Sequence, residues 1–175
     1  MKKLAAVLCA LLVCSCTKEL SSDQLVEING LSYEVNSRTP FTGRLIDFYE
    51  NGQLEKQEIY QDGALNGSRE SYHANGQLAN KEFYKGGLED GPWEFYYADG
   101  QIKKKESYKD GKPDGTWEMY HENGQLRSRG FFKDAELDGS LEIYSEDGLL
   151  MVKDFYENGK RISESVSYTH LRAHE

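Results

Sequence analysis

The chain has 175 residues, with 21 basic and 30 acidic side chains and a formal net charge of −9. That balance argues against nucleic acid, whose recognition needs clustered lysine and arginine. All three cysteines, Cys9, Cys14 and Cys16, lie within the first sixteen residues, so the remainder has no disulfide framework and no thiolate metal site.

The N-terminus reads as a targeting segment. Lys2 and Lys3 precede an apolar run from Leu4 to Val13, which is too short to span a bilayer. Val13-Cys14-Ser15-Cys16 comes next, with a small residue just before Cys16. This resembles a bacterial lipobox, and an ordinary secretory signal is the alternative. The resemblance implies a signal peptide over residues 1–15, lipidation at Cys16 and anchoring by several acyl chains. Thr17, where an aspartate would signal retention, implies the outer membrane of a Gram-negative cell envelope. Residues 16–24 are polar and read as a tether. Without the two lysines, 19 basic residues face 30 acidic ones, so the array beyond the anchor should be repelled by anionic lipid.

Residues 25–42 predict a capping hairpin and the entry to a repeat array. Asn29-Gly30 is the hairpin's turn, and Leu25, Val26, Ile28, Leu31, Tyr33 and Val35 are its apolar residues. Then a 24-residue ruler begins: Gly43, Gly67, Gly91, Gly115 and Gly139, with Gly52, Gly76, Gly100, Gly124 and Gly148 nine residues behind. It marks out five units, over residues 43–66, 67–90, 91–114, 115–138 and 139–162. Each holds two runs rich in aromatic and β-branched residues around an Asn-Gly or Asp-Gly pair, the signature of a β-hairpin with a type I′ turn. Asp62-Gly63, Gly86-Gly87, Asp110-Gly111 and Asn158-Gly159 give a second turn, with Asp134-Ala135 the exception. A two-residue turn places Glu118 opposite Arg129, Glu94 opposite Lys105, Glu70 opposite Lys81 and Glu142 opposite Lys153.

Alternation puts Trp117, Met119, His121, Leu126 and Phe132 on one face, with Trp93, Phe95, Tyr97, Ile102 and Tyr108 as equivalents. The other face carries Phe131 and a column of Tyr72, Tyr96, Tyr120 and Tyr144. Both faces are amphipathic, whereas a sandwich would show one clean apolar face. The predicted fold is therefore all-β: an elongated single-layer antiparallel meander of tandem β-hairpin repeats. Such an array has an extended surface and no unique pocket, which favours binding over catalysis. Its open sheet edges allow self-association.

The unit Gly115-Thr116-Trp117-Glu118-Met119-Tyr120, its Asn123-Gly124-Gln125-Leu126 centre and the Pro40-Phe41-Thr42-Gly43 entry resemble the MORN repeat, and more closely its bacterial variant in the YwqK-type antitoxin family. The first unit departs from the pattern with Leu45 and Ile46, and the last has Leu149 for glutamine. The resemblance implies a hairpin array without catalytic residues or cofactors. From about Val166 the string VSYTHLRAHE resembles translated adapter readthrough, so residues 163–175 read as a tail that is partly artefactual, and His170, Arg172 and His174 are set aside.

Catalytic constellations are weak. His73 and His121 share a unit position two units apart, roughly 19 Å, too far to share a metal. Glu70, Glu94, Glu118 and Glu142 repeat every ~10 Å, but the spacing arises from the repeat itself and each has a cation opposite. Lys103, Lys104 and Lys105 split across two faces. The aromatic stripe of Trp93 and Trp117 with Tyr84, Tyr97 and Tyr108 is the candidate binding surface, against the simpler reading that it joins neighbouring strands. The expectation is a membrane-anchored, non-catalytic protein-binding or scaffold module. An antitoxin or immunity protein is the alternative, and a cell-wall glycan binder the second.

Overall fold

The structure is a computed structural model that describes residues 17–163 and 166–167. The basic start, the Leu4–Val13 run, Cys16 and the tail beyond Ser167 lie outside the described residues.

Each unit contributes an outbound strand and a return strand. The outbound strands are Gly43–Phe48, Ala64–Tyr72, Gly91–Tyr96, Gly115–Tyr120 and Gly139–Tyr144. The return strands are Leu54–Gln61, Leu78–Lys85, Ile102–Lys109, Leu126–Lys133 and Leu150–Glu157. They succeed one another in chain order in one open 16-stranded sheet among the described residues. The single-layer antiparallel meander expected from the ruler is thus what forms.

The turns exchange roles relative to expectation. Asn123 does not take a positive φ, and neither do its equivalents; Gly124 alone does, at 81°. His121 O accepts from Gly124 N at 2.9 Å and His121 N donates to Gln125 O at 2.9 Å. That is a three-residue loop, a type I turn closed by a left-handed glycine. The type I′ geometry belongs to the second turn instead, as at Asp110 (φ 48°) and Gly111 (φ 80°). Even Asp134-Ala135 adopts it, with Ala135 at φ 73°.

The extra loop residue would shift the register by one. A bulge restores it: Tyr120 faces Leu126, Met119 faces Ser128, and Arg127 is left between them. Beyond the bulge Glu118 faces Arg129, Glu94 faces Lys105, Glu70 faces Lys81 and Glu142 faces Lys153. These four pairings hold because a longer loop and a bulge cancel. Closer to the turn they do not cancel. Leu126 and Ile102 pair with Tyr120 and Tyr96, so they sit on the tyrosine-column face and not with the tryptophans. A second irregularity separates the units. Tyr108 faces Pro113 while Lys105 faces Glu118, a two-residue slip taken up at Asp114 and Gly115. Gly115 has φ 113°, and a Cβ there would lie 2.9 Å from Ser107 Cβ.

The predicted hairpin forms, Leu25–Ile28 against Leu31–Glu34, with Asn29 and Gly30 at φ 54° and 78°. It is a separate two-stranded sheet, tied on through Phe41 N to Ser32 O and Ser32 N to Gly63 O, both 2.8 Å. The edge of the main sheet is covered by a different segment. Glu19–Leu20 pairs in parallel with Arg44 and Leu45, and Ser22 N donates to Asp47 Oδ1 at 2.8 Å. The stretch read as a tether is therefore docked from Glu19 onward. Leu20, Phe41 and Leu45 are the only buried hydrophobic side chains among the described residues. Elsewhere a single layer leaves each apolar side chain partly open.

Candidate functional site

One face of the sheet carries an aromatic ladder that crosses three units. Ring centroids are spaced at 5.4 Å from Tyr84 to Trp93, 4.6 Å to Tyr108, 5.6 Å to Trp117 and 4.7 Å to Phe132. All rings are tilted by 41–51°, the offset arrangement that aromatic quadrupoles favour. The ladder forms because the outbound position of tryptophan lies diagonally between the tyrosines of two return strands. Each indole is anchored: Trp93 Nε1 donates to Phe83 O and Trp117 Nε1 to Ser107 O, both at 3.2 Å. The indoles thus stitch one unit to the one before it, while their half-exposed rings remain available at the surface.

Four of the five candidate residues, Trp93, Trp117, Tyr84 and Tyr108, are brought together. Tyr97 is not. It sits at the turn edge, donating its hydroxyl to Tyr120 O at 3.4 Å, under Lys103 Nζ at 5.6 Å from the ring centroid. There it lines a polar hollow of about 470 Å³ with Tyr120, His121 and Arg127. In the first four units the position of Tyr97 serves as a lateral donor: Tyr49 bonds Tyr72 O at 2.6 Å, and His73 and His121 bond Tyr96 O and Tyr144 O at 3.1 Å. Each histidine therefore presents Nε2 as a donor to a carbonyl.

Beside the ladder runs a row of buried carboxylates that reasoning from the sequence missed. Glu58, Glu82 and Glu106 are 4%, 8% and 6% exposed, more buried than any ladder ring. Each accepts the hydroxyl of the tyrosine two residues on, at 3.0–3.2 Å: Tyr60, Tyr84 and Tyr108. Arg69 lies between Glu58 and Glu82, at 3.0 and 3.8 Å, and Lys104 reaches Glu106 at 2.7 Å. The signal was present as Glu-x-Tyr in each of these return strands, since residues two apart share a face. The same motif in the outbound strands gives Glu70–Tyr72, Glu94–Tyr96, Glu118–Tyr120 and Glu142–Tyr144, at 2.6–2.9 Å, on the opposite face.

These bonds set the titration. Burial and the Glu82 charge push the Tyr84 phenol up to about 12. Burial and the Glu94 hydrogen bond do the same for Tyr96, also to about 12. Glu118 is held below the usual carboxylate range: the hydrogen bonds from Tyr120 and Arg129 outweigh its desolvation. Lys105 faces Glu94 in register, but no Lys105–Glu94 ion pair forms within 4 Å, unlike the Lys81–Glu70 pair at 3.2 Å and the Lys153–Glu142 pair at 2.7 Å. Phenols that hold their protons and carboxylates already bonded are suited to structure and recognition.

The fold and this face define a tandem β-hairpin repeat array. Four successive segments, residues 41–62, 65–85, 89–110 and 113–134, match the MORN repeat variant, so residues 41–134 hold four tandem MORN-variant repeats. The hairpin of residues 139–157 repeats the same strand pairing beyond the matched segments. No match was found among curated proteins.

Proposed function

We propose that this chain is a non-catalytic protein-binding or scaffold module, held at the bacterial envelope through lipidated Cys16. The observation that carries the binding reading is the ladder from Tyr84 to Phe132, five half-exposed rings on one open face. A contiguous aromatic face of this kind supplies contact area at low entropic cost. Its regularity also speaks against a reaction centre, because Glu58, Glu82 and Glu106 each meet the same tyrosine hydroxyl two residues on.

Two measurements test the reading. The lipidated chain is used as bait on envelope extract, beside Trp93→Phe/Trp117→Phe, which keeps ring packing but narrows both platforms. One dominant partner, retained at least tenfold less by the double variant, is the expected result. Retention of nothing by the parent chain would sink the binding reading. For the anchor, Cys16→Ala should move the protein from the membrane pellet to the soluble fraction. An unchanged distribution would remove the envelope tether from the proposal.

A further inference from the structure

Six asparagines are followed directly by glycine: Asn29, Asn51, Asn66, Asn75, Asn123 and Asn158. In such a pair the glycine nitrogen can close on the side-chain amide, because no Cβ shields it and the five-membered ring that forms is unstrained. The fold ties down most of the six. Asn51, Asn75 and Asn123 are held at both ends of the amide. Each Oδ1 accepts from the nitrogen two residues on, at 3.0 Å, and each Nδ2 donates to a carbonyl of the next unit, at 2.6–3.2 Å. Their glycines are engaged as well: Gly52, Gly76 and Gly124 donate to Tyr49 O, His73 O and His121 O at 2.8–2.9 Å. Asn66 accepts from Gly86 N at 3.0 Å and donates to Gln61 Oε1 at 2.5 Å.

Asn29 and Asn158 differ from these four, and from each other by one bond. Both open type I′ turns, at φ 54° and 49°, with Gly30 and Gly159 following at φ 78° and 73°. Both are exposed, and neither side chain has a hydrogen-bond partner among the described residues. Gly159 N, however, donates to Leu137 O of the preceding unit at 2.9 Å, as Gly63, Gly87 and Gly111 donate to Phe41 O, Leu65 O and Glu89 O. That bond comes from the stacking of one unit on another. The hairpin of Asn29 is a separate two-stranded sheet, and Gly30 N donates to no carbonyl among the described residues. A Cβ on Gly30 would meet nothing within 4 Å. This nitrogen is open to the water that must take its proton, and no bond keeps it from turning toward Asn29 Cγ.

We infer that Asn29 is a site of self-modification, where Gly30 converts the asparagine to aspartate and isoaspartate and so loosens the hairpin from the sheet. The Gly30 nitrogen gives its proton to solvent and bonds to Asn29 Cγ. The Cγ–Nδ2 bond breaks, and Nδ2 leaves as ammonia. Water then opens the cyclic imide. Cleavage of the new bond to Cγ yields aspartate. Cleavage of the bond to the backbone carbonyl yields isoaspartate, with the main chain rerouted through the former side chain. Water is the only co-reactant, and nothing is oxidised or reduced. Isoaspartate adds one backbone atom to a turn whose length fixes the pairing of Leu25 with Glu34 and Val26 with Tyr33. Ser32 N on Gly63 O and Phe41 N on Ser32 O clasp that hairpin to the array, and they depend on its register. The site is independent of what the aromatic ladder binds.

The full chain is incubated in mildly alkaline buffer and followed by peptide mapping, which reads the mass change from asparagine to aspartate at all six sites and separates the isoaspartyl form. Asn29 should convert at least threefold faster than Asn158, which one hydrogen bond protects, and at least tenfold faster than the other four. In concentrated urea the six rates should converge, because every glycine nitrogen is then equally free. Conversion of Asn29 no faster than Asn158 would overturn the proposal. So would the same ranking in urea, which would place the selectivity in the neighbouring residues and not in the fold. Asn29→Gly is the control for the clasp. It copies the Gly86-Gly87 turn already present in this array, at φ 57° and 85°, and has no amide to convert. Hydrogen exchange at Ser32 and Phe41 should quicken in the parent as Asn29 converts and stay constant in the variant. Constant exchange in the converted parent, or an equal rise in the variant, would overturn the loosening.

Discussion

Asn123 shows how much one side chain does in a fold without a deep core. Its Oδ1 accepts from Gln125 N at 3.0 Å and shapes the turn, while its Nδ2 donates to Glu146 O of the next unit at 2.6 Å. Asn75 repeats the arrangement with Ala98 O, and Asn51 with Ala74 O. Asp99 keeps the first bond but has no donor for the second. Asp99→Asn should therefore stabilise the array, by ~0.5–1.5 kcal/mol for one added hydrogen bond. Urea denaturation measures this, and no gain would mean the lateral bond is immaterial. Ala135 carries a Cβ at φ 73°, a conformation that costs ~1–2 kcal/mol for an L-residue. Ala135→Gly should recover about 1 kcal/mol of that, net of the glycine's greater entropy in the unfolded chain. The tyrosines set an alkaline limit. Tyr84, Tyr96 and Tyr120 are raised from 10.0 to about 12, so the folded chain keeps protons that the unfolded chain releases. Their contribution is complete below pH 10 and is lost as pH rises through 12. Phenolate absorbance should rise together with loss of ellipticity across that window. An early rise, near pH 10 and with the fold intact, would contradict the Glu-x-Tyr bonds. At the acid end Glu70, Glu118 and Glu142 are lowered, so their contribution is present above pH 4.5 and fades as pH falls through their folded values.

At the scale of the element, two glycines of the same unit do different work. Gly124 closes the type I loop at φ 81°, and a Cβ there would meet only Gln101 Oε1, at 3.2 Å. Gly115 sits in the slip between units at φ 113°, where a Cβ would meet Ser107 Cβ and Oγ at 2.9 Å. Gly124→Ala should cost ~1–2 kcal/mol from backbone strain alone. Gly115→Ala should cost more, because the strand pair must also move apart. Equal losses in chemical denaturation would show that the slip region yields without penalty. The 24-residue ruler was legible because these glycines recur, and so was the Glu118–Arg129 register. The turn type was not. Asn-Gly is compatible with both a two-residue and a three-residue loop, and the longer loop also forms at Asp99-Gly100 and Asp147-Gly148, which have no Nδ2 to reach the next unit. The bulge at Arg127 results from that choice, and it alone moves Leu126 and Ile102 to the opposite face.

At the scale of the whole molecule, the sheet is a sum of units joined by neighbour contacts. Buried hydrophobics gather at the N-terminal edge, at Leu20, Phe41 and Leu45, and the interior of the array is held by ring contacts and by bonds from one unit to the next. Deleting one whole unit, residues 91–114, preserves the phase of every later glycine. That variant should still unfold cooperatively, with a denaturant slope reduced by roughly one fifth, as expected when exposed surface scales with unit number. Deleting half a unit would set outbound against outbound strands, and collapse of the fold is expected; survival of the half-unit deletion would refute a unit-by-unit array. The sequence by itself determined the period, the all-β meander, the two amphipathic faces and the cross-strand charge pairs, because these depend on residues within a dozen positions of each other. Only the tertiary structure decided the strand that covers the sheet edge, the burial of Glu58, Glu82 and Glu106, and the separation of Tyr97 from the ladder. Each of these is set by a partner in a neighbouring unit, and a contact across ~20 residues has no local signature in the chain that makes it.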